Sequence, residues 1–90
     1  MIFTLPEARE ILRIDGTDND SAITALLSAI PPYLEATTGY SPTGYYSPVA
    51  KAAGRFLLQL WYYGENADTD KLQRVIDSLL KALSAERDDE

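Results

Sequence analysis

The sequence predicts a small all-α fold: a bundle of four helices around a central apolar helix, with one longer loop between the second and third helices. Four stretches repeat apolar residues with the period of an α-helix, and none shows the alternation of a β-strand. Residues typical of helix ends bound these stretches. The 90 residues, 46% of them hydrophobic, suffice for one domain. We expect residues 1–85 to form that domain and residues 86–90 to form a flexible acidic tail.

The first helix is predicted from its capping residues. Thr4 and Glu7 have the spacing of a capping box, and Pro6 lies in the first turn. Asp15-Gly16 is predicted to end the helix, because glycine readily adopts the left-handed conformation found there. The apolar face of this helix comprises Leu5, Ala8, Ile11 and Leu12.

The second helix follows a turn over residues 16–20, with an acidic cap expected at Asp18 and Asp20. Pro31 and Pro32 interrupt it, because each lacks an N–H and crowds the preceding turn. The apolar positions nevertheless keep their phase across both prolines, so we expect one kinked helix that ends at Gly39. Its predicted apolar face comprises Ile23, Leu27, Ile30, Leu34 and Thr37.

The third helix is predicted to begin with Ser47 as N-cap and Pro48 as first residue, and to end near Tyr63 at Gly64. It is apolar on nearly all sides, which is typical of a helix covered by its neighbours. The core is therefore predicted at Val49, Ala50, Ala53, Phe56, Leu57, Leu60 and Trp61, and the polar line of the helix comprises Lys51, Arg55 and Gln59.

The fourth helix is predicted to start with Thr69 or Asp68 as its N-cap. Its opposite face carries Asp70 before Arg74 and Asp77 before Lys81, a spacing that favours ion pairs along a helix. Its apolar face comprises Leu72, Val75, Ile76, Leu79, Leu80 and Leu83.

Composition argues against several classes of function. Fourteen acidic and eight basic residues give a net charge of −6, which disfavours a general binder of nucleic-acid backbones. The chain has neither cysteine nor histidine, so thiolate nucleophiles, the commonest general base and the usual zinc ligands are missing. We therefore expect no enzyme, no catalytic residue and no cofactor. No signal-peptide pattern or membrane-spanning apolar run is present in the sequence, so no membrane association is expected.

Asp15, Asp18 and Asp20 resemble the start of a calcium-binding loop. Such a loop needs a bidentate glutamate at its twelfth position, and counting from Asp15 or Asp18 places Leu26 or Ala29 there. These acids are better explained as a cluster at the positive end of a helix dipole, and no metal site is expected.

Five residues are candidates for an interface. Tyr40, Tyr45 and Tyr46 lie together in the loop; they either pack back onto the bundle or offer contact area to a partner. Lys51 and Arg55 are like charges at a spacing of four. They form a solvated face, a surface for acids such as Glu35 or Asp70 of an adjacent chain, or a surface that faces DNA, although a channel in which DNA slides should avoid strong phosphate binding.

The order of several segments resembles a known family. These segments are residues 3–8 (Phe-Thr-Leu-Pro-Glu-Ala), 12–16 (Leu-Arg-Ile-Asp-Gly), 33–39 (Tyr-Leu-Glu-Ala-Thr-Thr-Gly), 49–53 (Val-Ala-Lys-Ala-Ala) and 57–66 (Leu-Leu-Gln-Leu-Trp-Tyr-Tyr-Gly-Glu-Asn). From Phe3 to about Leu83 the chain resembles the small head-tail connector proteins of tailed phages and prophages, which serve DNA packaging as neck adaptors.

This resemblance implies a structural adaptor that forms a ring below the portal, extends the DNA channel and docks the next neck or tail protein. The implied partners are the portal protein, a stopper or tail-completion protein, and further copies of the chain in a ring that matches the portal's symmetry. DNA would pass through without sequence-specific binding. The implied location is the virion neck, and the host cytoplasm during assembly.

The alternative is a small helical DNA-binding regulator, whose first two helices would mimic a helix-turn-helix. No helix carries several Arg, Lys, Asn or Gln residues on one face, which such a protein needs for reading bases.

Overall fold

The computed structural model describes residues 2–42, 44–64 and 68–86. These ranges contain four helices and no strand, which confirms the predicted all-α fold. The helices are α1 (Leu5–Leu12), α2 (Asp20–Thr38), α3 (Pro48–Tyr63) and α4 (Thr69–Glu86). Glu86, assigned to the tail from the sequence, is the last residue of α4, and the remaining tail residues 87–90 lie outside the described ranges.

Helix α1 begins with the predicted capping box but ends earlier than predicted. The Glu7 N–H donates to Thr4 Oγ1 at 3.3 Å, and the Thr4 N–H donates to Glu7 Oε1 at 2.9 Å. Arg13 then adopts the left-handed conformation, with φ 58°, and its N–H donates to the Glu10 carbonyl. The Ile14 N–H donates to the Arg9 carbonyl, which completes a Schellman motif before Asp15-Gly16 is reached.

Helix α2 continues across Pro31 and Pro32 to Gly39, as predicted. The predicted apolar face needs one correction at its end, where Thr38 is buried and Thr37 is exposed. Thr38 lies four residues after Leu34, so it continues the buried row along the helix. Its hydroxyl donates to the Leu34 carbonyl at 2.6 Å.

Helix α3 is the central helix: like α2 it contacts the other three helices, and its contacts, above all with α4, are more extensive than those of α2. Its buried row differs from the prediction: Leu58 is fully buried, whereas Phe56, Leu60 and Trp61 are half-buried. The reason is that α3 is apolar on nearly all sides, so the pattern does not select one side. The buried residues of α3 are Ala50, Ala53, Gly54, Leu57 and Leu58.

The segment before α1 packs on the middle of α3, a contact that the sequence did not predict. Ile2 and Phe3 are buried, and Gly54 provides the space for them. A Cβ atom at position 54 would lie 2.9 Å from Ile2 Cδ1 and 3.2 Å from Phe3 Cε2. The segment therefore approaches the helix more closely than a larger residue would allow.

Helix α4 uses Asp68 as its N-cap and Thr69 as its first residue. The Lys71 N–H donates to Asp68 Oδ1 at 3.3 Å, and the Leu72 N–H donates to the Asp68 carbonyl at 3.0 Å. On the apolar face, Ile76 and Leu83 are fully buried.

The ion pairs predicted along α4 are not formed. Asp77 instead accepts a hydrogen bond from Gln73 Nε2 at 2.8 Å. Across the described ranges a single ion pair is present, between Arg9 of α1 and Asp20 of α2, at 2.9 Å. The four charged side chains of the predicted pairs are exposed, where an ion pair gains little over separate hydration.

Candidate functional site

The tyrosine loop, residues 40–47 between α2 and α3, is braced by its first tyrosine. Tyr40 is 6% exposed, and its hydroxyl oxygen accepts a hydrogen bond from the Ser47 N–H at 2.9 Å. The Tyr40 N–H donates to Thr38 Oγ1 at 3.1 Å. Tyr40 thus joins the two ends of the loop, so of the two alternatives left open by the sequence it follows the first and packs back onto the bundle.

Ser47 fixes the far end of the tyrosine loop to the rest of the bundle. Its Oγ accepts a hydrogen bond from the Ala50 N–H at 3.2 Å, which is the predicted N-cap of α3. The same hydroxyl donates to Glu86 Oε2 at 2.6 Å. The start of α3 is therefore tied to the last residue of α4.

Of the other two tyrosines in the loop, one is presented to solvent. Tyr45 is 98% exposed, whereas Tyr46 is half-buried against the core. Among the large apolar side chains that the structure describes, the next most exposed is Tyr63, at 38%. Tyr45 is therefore the most accessible aromatic side chain of the described part of the molecule.

A proline groove of about 170 Å³ lies beside the tyrosine loop. Its walls come from the outer side of α2 and from the loop itself, and they include Pro31, Pro32, Glu35, Tyr40, Pro42 and Tyr46. Sequence reasoning missed this groove, because it treated Pro31 and Pro32 only as an interruption of the helix. The signal was present: both prolines fall outside the buried row of the helix that leads into a loop rich in tyrosine.

Lys51 and Arg55 are exposed on α3, where they face α1 of their own chain. Lys51 lies close enough to Glu7 to help lower the pKa of that carboxyl group. Arg55 lines a second, open groove of about 430 Å³ between α1 and α3, together with Glu7, Glu10 and Arg13. Acids of α1 thus lie near this basic pair within one chain, while contact with Glu35 or Asp70 of an adjacent chain stays a prediction.

Two carboxyl groups have pKa values below their usual range, and both stabilise helix ends. The pKa of Glu7 is lowered chiefly by the hydrogen bond from the Thr4 backbone N–H, then by the Thr4 hydroxyl and by Lys51. The pKa of Asp20 is lowered by hydrogen bonds from Arg9, whose Nε and Nη2 each lie 2.9 Å from a carboxylate oxygen. The same contact raises the pKa of Arg9.

The acidic residues Asp15, Asp18 and Asp20 near the start of α2 do not act together as a helix cap or a metal site. Asp20 is paired with Arg9, and the N-cap position is held by Asn19 rather than by the predicted Asp18 or Asp20. Within residues 2–42, 44–64 and 68–86, no three metal-ligating side chains come together. In the same ranges, none of the helices combines the length and apolar character needed to cross a bilayer.

A second group of aromatic residues links α2 and α3 to the end of α1. Tyr33 and Trp61 pack edge to face with ring centroids 5.3 Å apart, and Tyr62 packs in the same way on Tyr63, at 5.1 Å. The Tyr63 hydroxyl donates to the Leu12 carbonyl. These rings are held by intramolecular contacts, which distinguishes them from Tyr45.

No family model matches this chain, and no curated protein or solved structure is significantly similar to it. The resemblance to head-tail connectors therefore stays a hypothesis drawn from the order of the sequence segments.

Proposed function

We propose that this protein is a structural head-tail connector of a tailed phage or prophage. As a connector it forms a ring below the portal, extends the DNA channel and docks a stopper or tail-completion protein. It acts in the virion neck, after assembly in the host cytoplasm, and it needs no cofactor or catalytic residue. DNA passes through the ring without sequence-specific contacts.

The observation that carries this proposal is the braced tyrosine loop with its exposed Tyr45. The bonds that Ser47 donates to Tyr40 and to Glu86 fix the ends of the loop, so docking loses less conformational entropy. A tyrosine offers a large contact area at a low entropic cost. A contact surface whose two ends are fixed before it meets its partner suits an assembly protein.

The positions of the matching sequence segments also support the proposal. Residues 12–16 form the turn after α1, residues 33–39 form the end of α2, and residues 57–64 form the second half of α3. These segments set helix ends and core packing, so the resemblance concerns the elements that determine the fold.

The experiment uses heads that contain portal protein but lack this chain, from the phage or prophage whose genome encodes it. Purified protein is mixed with these heads, and the bound fraction is measured after sedimentation. We expect saturable attachment in a whole-number ratio to the portal. A protein that does not attach to such heads at all is not a connector.

Two variants and one control locate the docking surface. Tyr45→Ser removes the exposed ring and is expected to weaken attachment most, because aromatic anchors dominate interfaces. The double variant Lys51→Glu and Arg55→Glu is expected to have a smaller effect, since exposed ion pairs contribute about 0–1 kcal/mol. Lys71→Ser changes an exposed residue about 22 Å along α4 from Glu86 and serves as the control. Parent-like attachment of both test variants would place the interface elsewhere.

The salt dependence of binding distinguishes the connector from the alternative, a DNA-binding regulator. A regulator that binds phosphates loses affinity steeply as the salt concentration rises, whereas attachment to the portal through apolar contacts does not. Genes for portal, terminase or capsid proteins beside this one would also favour the connector.

A further inference from the structure

We infer that the link between Asp15 and Gly16 is a site of spontaneous covalent modification, at which aspartate is converted to isoaspartate, and that the product loosens the connection that Arg9 makes between α1 and α2. The inference rests on an exposed Asp-Gly pair that lies between two anchored points of the chain. It concerns the chemistry of the free protein and does not depend on the proposed function.

The two reacting groups are accessible in the turn between α1 and α2. Asp15 and Gly16 are both exposed. Neither the Asp15 carboxylate nor the Gly16 N–H forms a hydrogen bond with another residue that the structure describes. A Cβ atom at position 16 would have no neighbouring atom within 4 Å, so the space around this glycine is open. The fold therefore does not cover the pair.

The reaction needs only these two residues and water. The Gly16 nitrogen forms a bond to Asp15 Cγ, and the proton of the nitrogen and the hydroxyl of the carboxyl group leave together as water. The product is a cyclic imide, a succinimide. Water then adds to one of the two imide carbonyl carbons. Breaking the bond from nitrogen to Cγ restores aspartate, whereas breaking the bond from nitrogen to the Asp15 main-chain carbonyl carbon gives isoaspartate.

The glycine makes this aspartate more reactive than the others of the described chain. Glycine has no side chain to hinder the approach of its nitrogen, and φ is 93° at Gly16, a conformation that favours glycine. Asp18 is equally exposed in the same turn, but it precedes Asn19, whose Cβ atom hinders the corresponding attack. Asp77 lies inside α4, where the next N–H is held in a helical hydrogen bond.

Arg9 holds this turn at both of its ends. Its carbonyl accepts a hydrogen bond from the Ile14 N–H at 2.9 Å, and its guanidinium lies 2.9 Å from the Asp20 carboxylate. In isoaspartate the main chain runs through Cβ and Cγ, so the segment between these two anchors becomes one carbon atom longer. We expect the lengthened segment to strain or release the ion pair, because both anchors are on one residue.

The first test is to keep the full chain near neutral pH over several weeks and to digest samples with a protease that cleaves before aspartate. This protease does not cleave before isoaspartate, so the loss of cleavage measures the modification at each position. Mass spectrometry detects the succinimide, which is lighter by one water. We expect modification at Asp15 to be about tenfold or more faster than at Asp18, because glycine offers no hindrance. Equal rates at the two positions overturn the inference.

The same measurement in guanidinium chloride separates the effect of the sequence from that of the fold. Because the folded turn leaves both groups accessible, we expect the rate at Asp15 in the folded chain to stay within about tenfold of the unfolded rate. A larger reduction on folding means that the fold protects the pair, and it overturns the inference.

Matched variants assign the site. Asp15→Glu keeps the charge, but its longer side chain forms the corresponding ring far less readily. Total isoaspartate, measured by enzymatic methylation, should therefore fall sharply in this variant. Asp18→Glu makes the same change three residues later and should accumulate isoaspartate as the parent does. Parent-like accumulation in Asp15→Glu would place the modification elsewhere and overturn the inference.

Unfolding of the modified protein tests the effect on Arg9. The isoaspartyl form is separated by reversed-phase chromatography and refolded, and we expect it to unfold at a lower urea concentration than the unmodified chain treated in the same way. Arg9→Gln removes the ion pair to Asp20, so in that background the modification should shift the midpoint less. An unchanged midpoint in the parent, or an equal shift in both backgrounds, overturns the loosening of this connection.

Discussion

The hydroxyl oxygen of Tyr40 lies 2.9 Å from the backbone nitrogen of Ser47, so one side chain spans the loop between α2 and α3 and satisfies a donor at its far end. This tyrosine is buried while Tyr45, five residues later, is almost fully exposed. Two tyrosines of one loop therefore serve opposite purposes.

Tyr40→Phe is expected to lower the free energy of unfolding by about 1 kcal/mol, because it leaves the Ser47 N–H without its acceptor. Urea unfolding followed by circular dichroism measures this loss. Tyr45→Phe removes the same hydroxyl from an exposed ring and should change stability by less than about 0.5 kcal/mol. Equal effects at the two positions would show that Tyr40 does not brace the loop.

The buried row of α3 predicts an order of costs for two truncations. Leu58→Ala is expected to destabilise the protein by about 2–5 kcal/mol, as removal of a fully buried leucine does. Phe56→Ala removes a larger side chain but should cost less, because that side chain is half-buried. Thermal and urea unfolding of both variants test this order, and a greater loss at Phe56 would reverse our assignment of the core.

Local signals predicted most helix ends, because each depends on a few adjacent residues, but they failed at the end of α1 and at the N-cap of α2. Thr4, Ser47 and Gly39 all cap helices as the sequence indicated. The side of α3 that faces the core was not predictable, because a helix that is apolar on nearly all sides can be buried on any of them. The site was only partly predictable. The clustering of tyrosines in the sequence identified the loop. The proline groove, however, combines residues of α2 with residues that follow Gly39, and only the tertiary fold brings these together.

The left-handed conformation of Arg13 could not be predicted from the sequence, because backbone hydrogen bonds impose it and the residue type does not favour it. Such a conformation costs a residue with a Cβ about 1–2 kcal/mol, and glycine escapes most of that cost. Glycine has a larger conformational entropy in the unfolded chain, which offsets part of this gain. Arg13→Gly is therefore expected to raise the free energy of unfolding by a net amount of about 0.5–1 kcal/mol. Chemical denaturation measures the gain. Arg13→Ala keeps the strain and should show no gain.

The contact of Gly54 with Ile2 is testable by a double-mutant cycle. Gly54→Ala adds a Cβ atom 2.9 Å from Ile2 Cδ1, so the end of the Ile2 side chain must shift, and this loss is expected to offset much of the gain in helix propensity, which is about 1 kcal/mol. Ile2→Val removes that Cδ1 atom. In the Ile2→Val background the same alanine should therefore be tolerated better, and the coupling free energy should exceed about 0.5 kcal/mol. Additive effects would mean that the two residues do not touch.

Acid should unfold the protein partly through Glu7 and Asp20. Both carboxyl groups have folded-state pKa values below their ordinary values of 4.5 and 3.8. Their contribution to stability is therefore fully present above about pH 5 and is lost as the pH falls through the lowered values. The double variant Glu7→Gln and Asp20→Asn should show a shallower fall in unfolding free energy between pH 5 and pH 2. A slope equal to that of the parent would assign acid unfolding to other groups.

Two of the hydrogen bonds of Ser47 differ greatly in the length of chain that they close. The bond that Ser47 donates to Tyr40 spans seven residues, whereas the bond that it donates to Glu86 spans 39. Closing the longer span costs about 1.5 kcal/mol more in chain entropy. The bond between Ser47 and Tyr40 therefore depends on a short segment alone, whereas the bond to Glu86 requires α3 and α4 to be packed together. The last turn of α4 is thus attached at a point that only the assembled bundle provides.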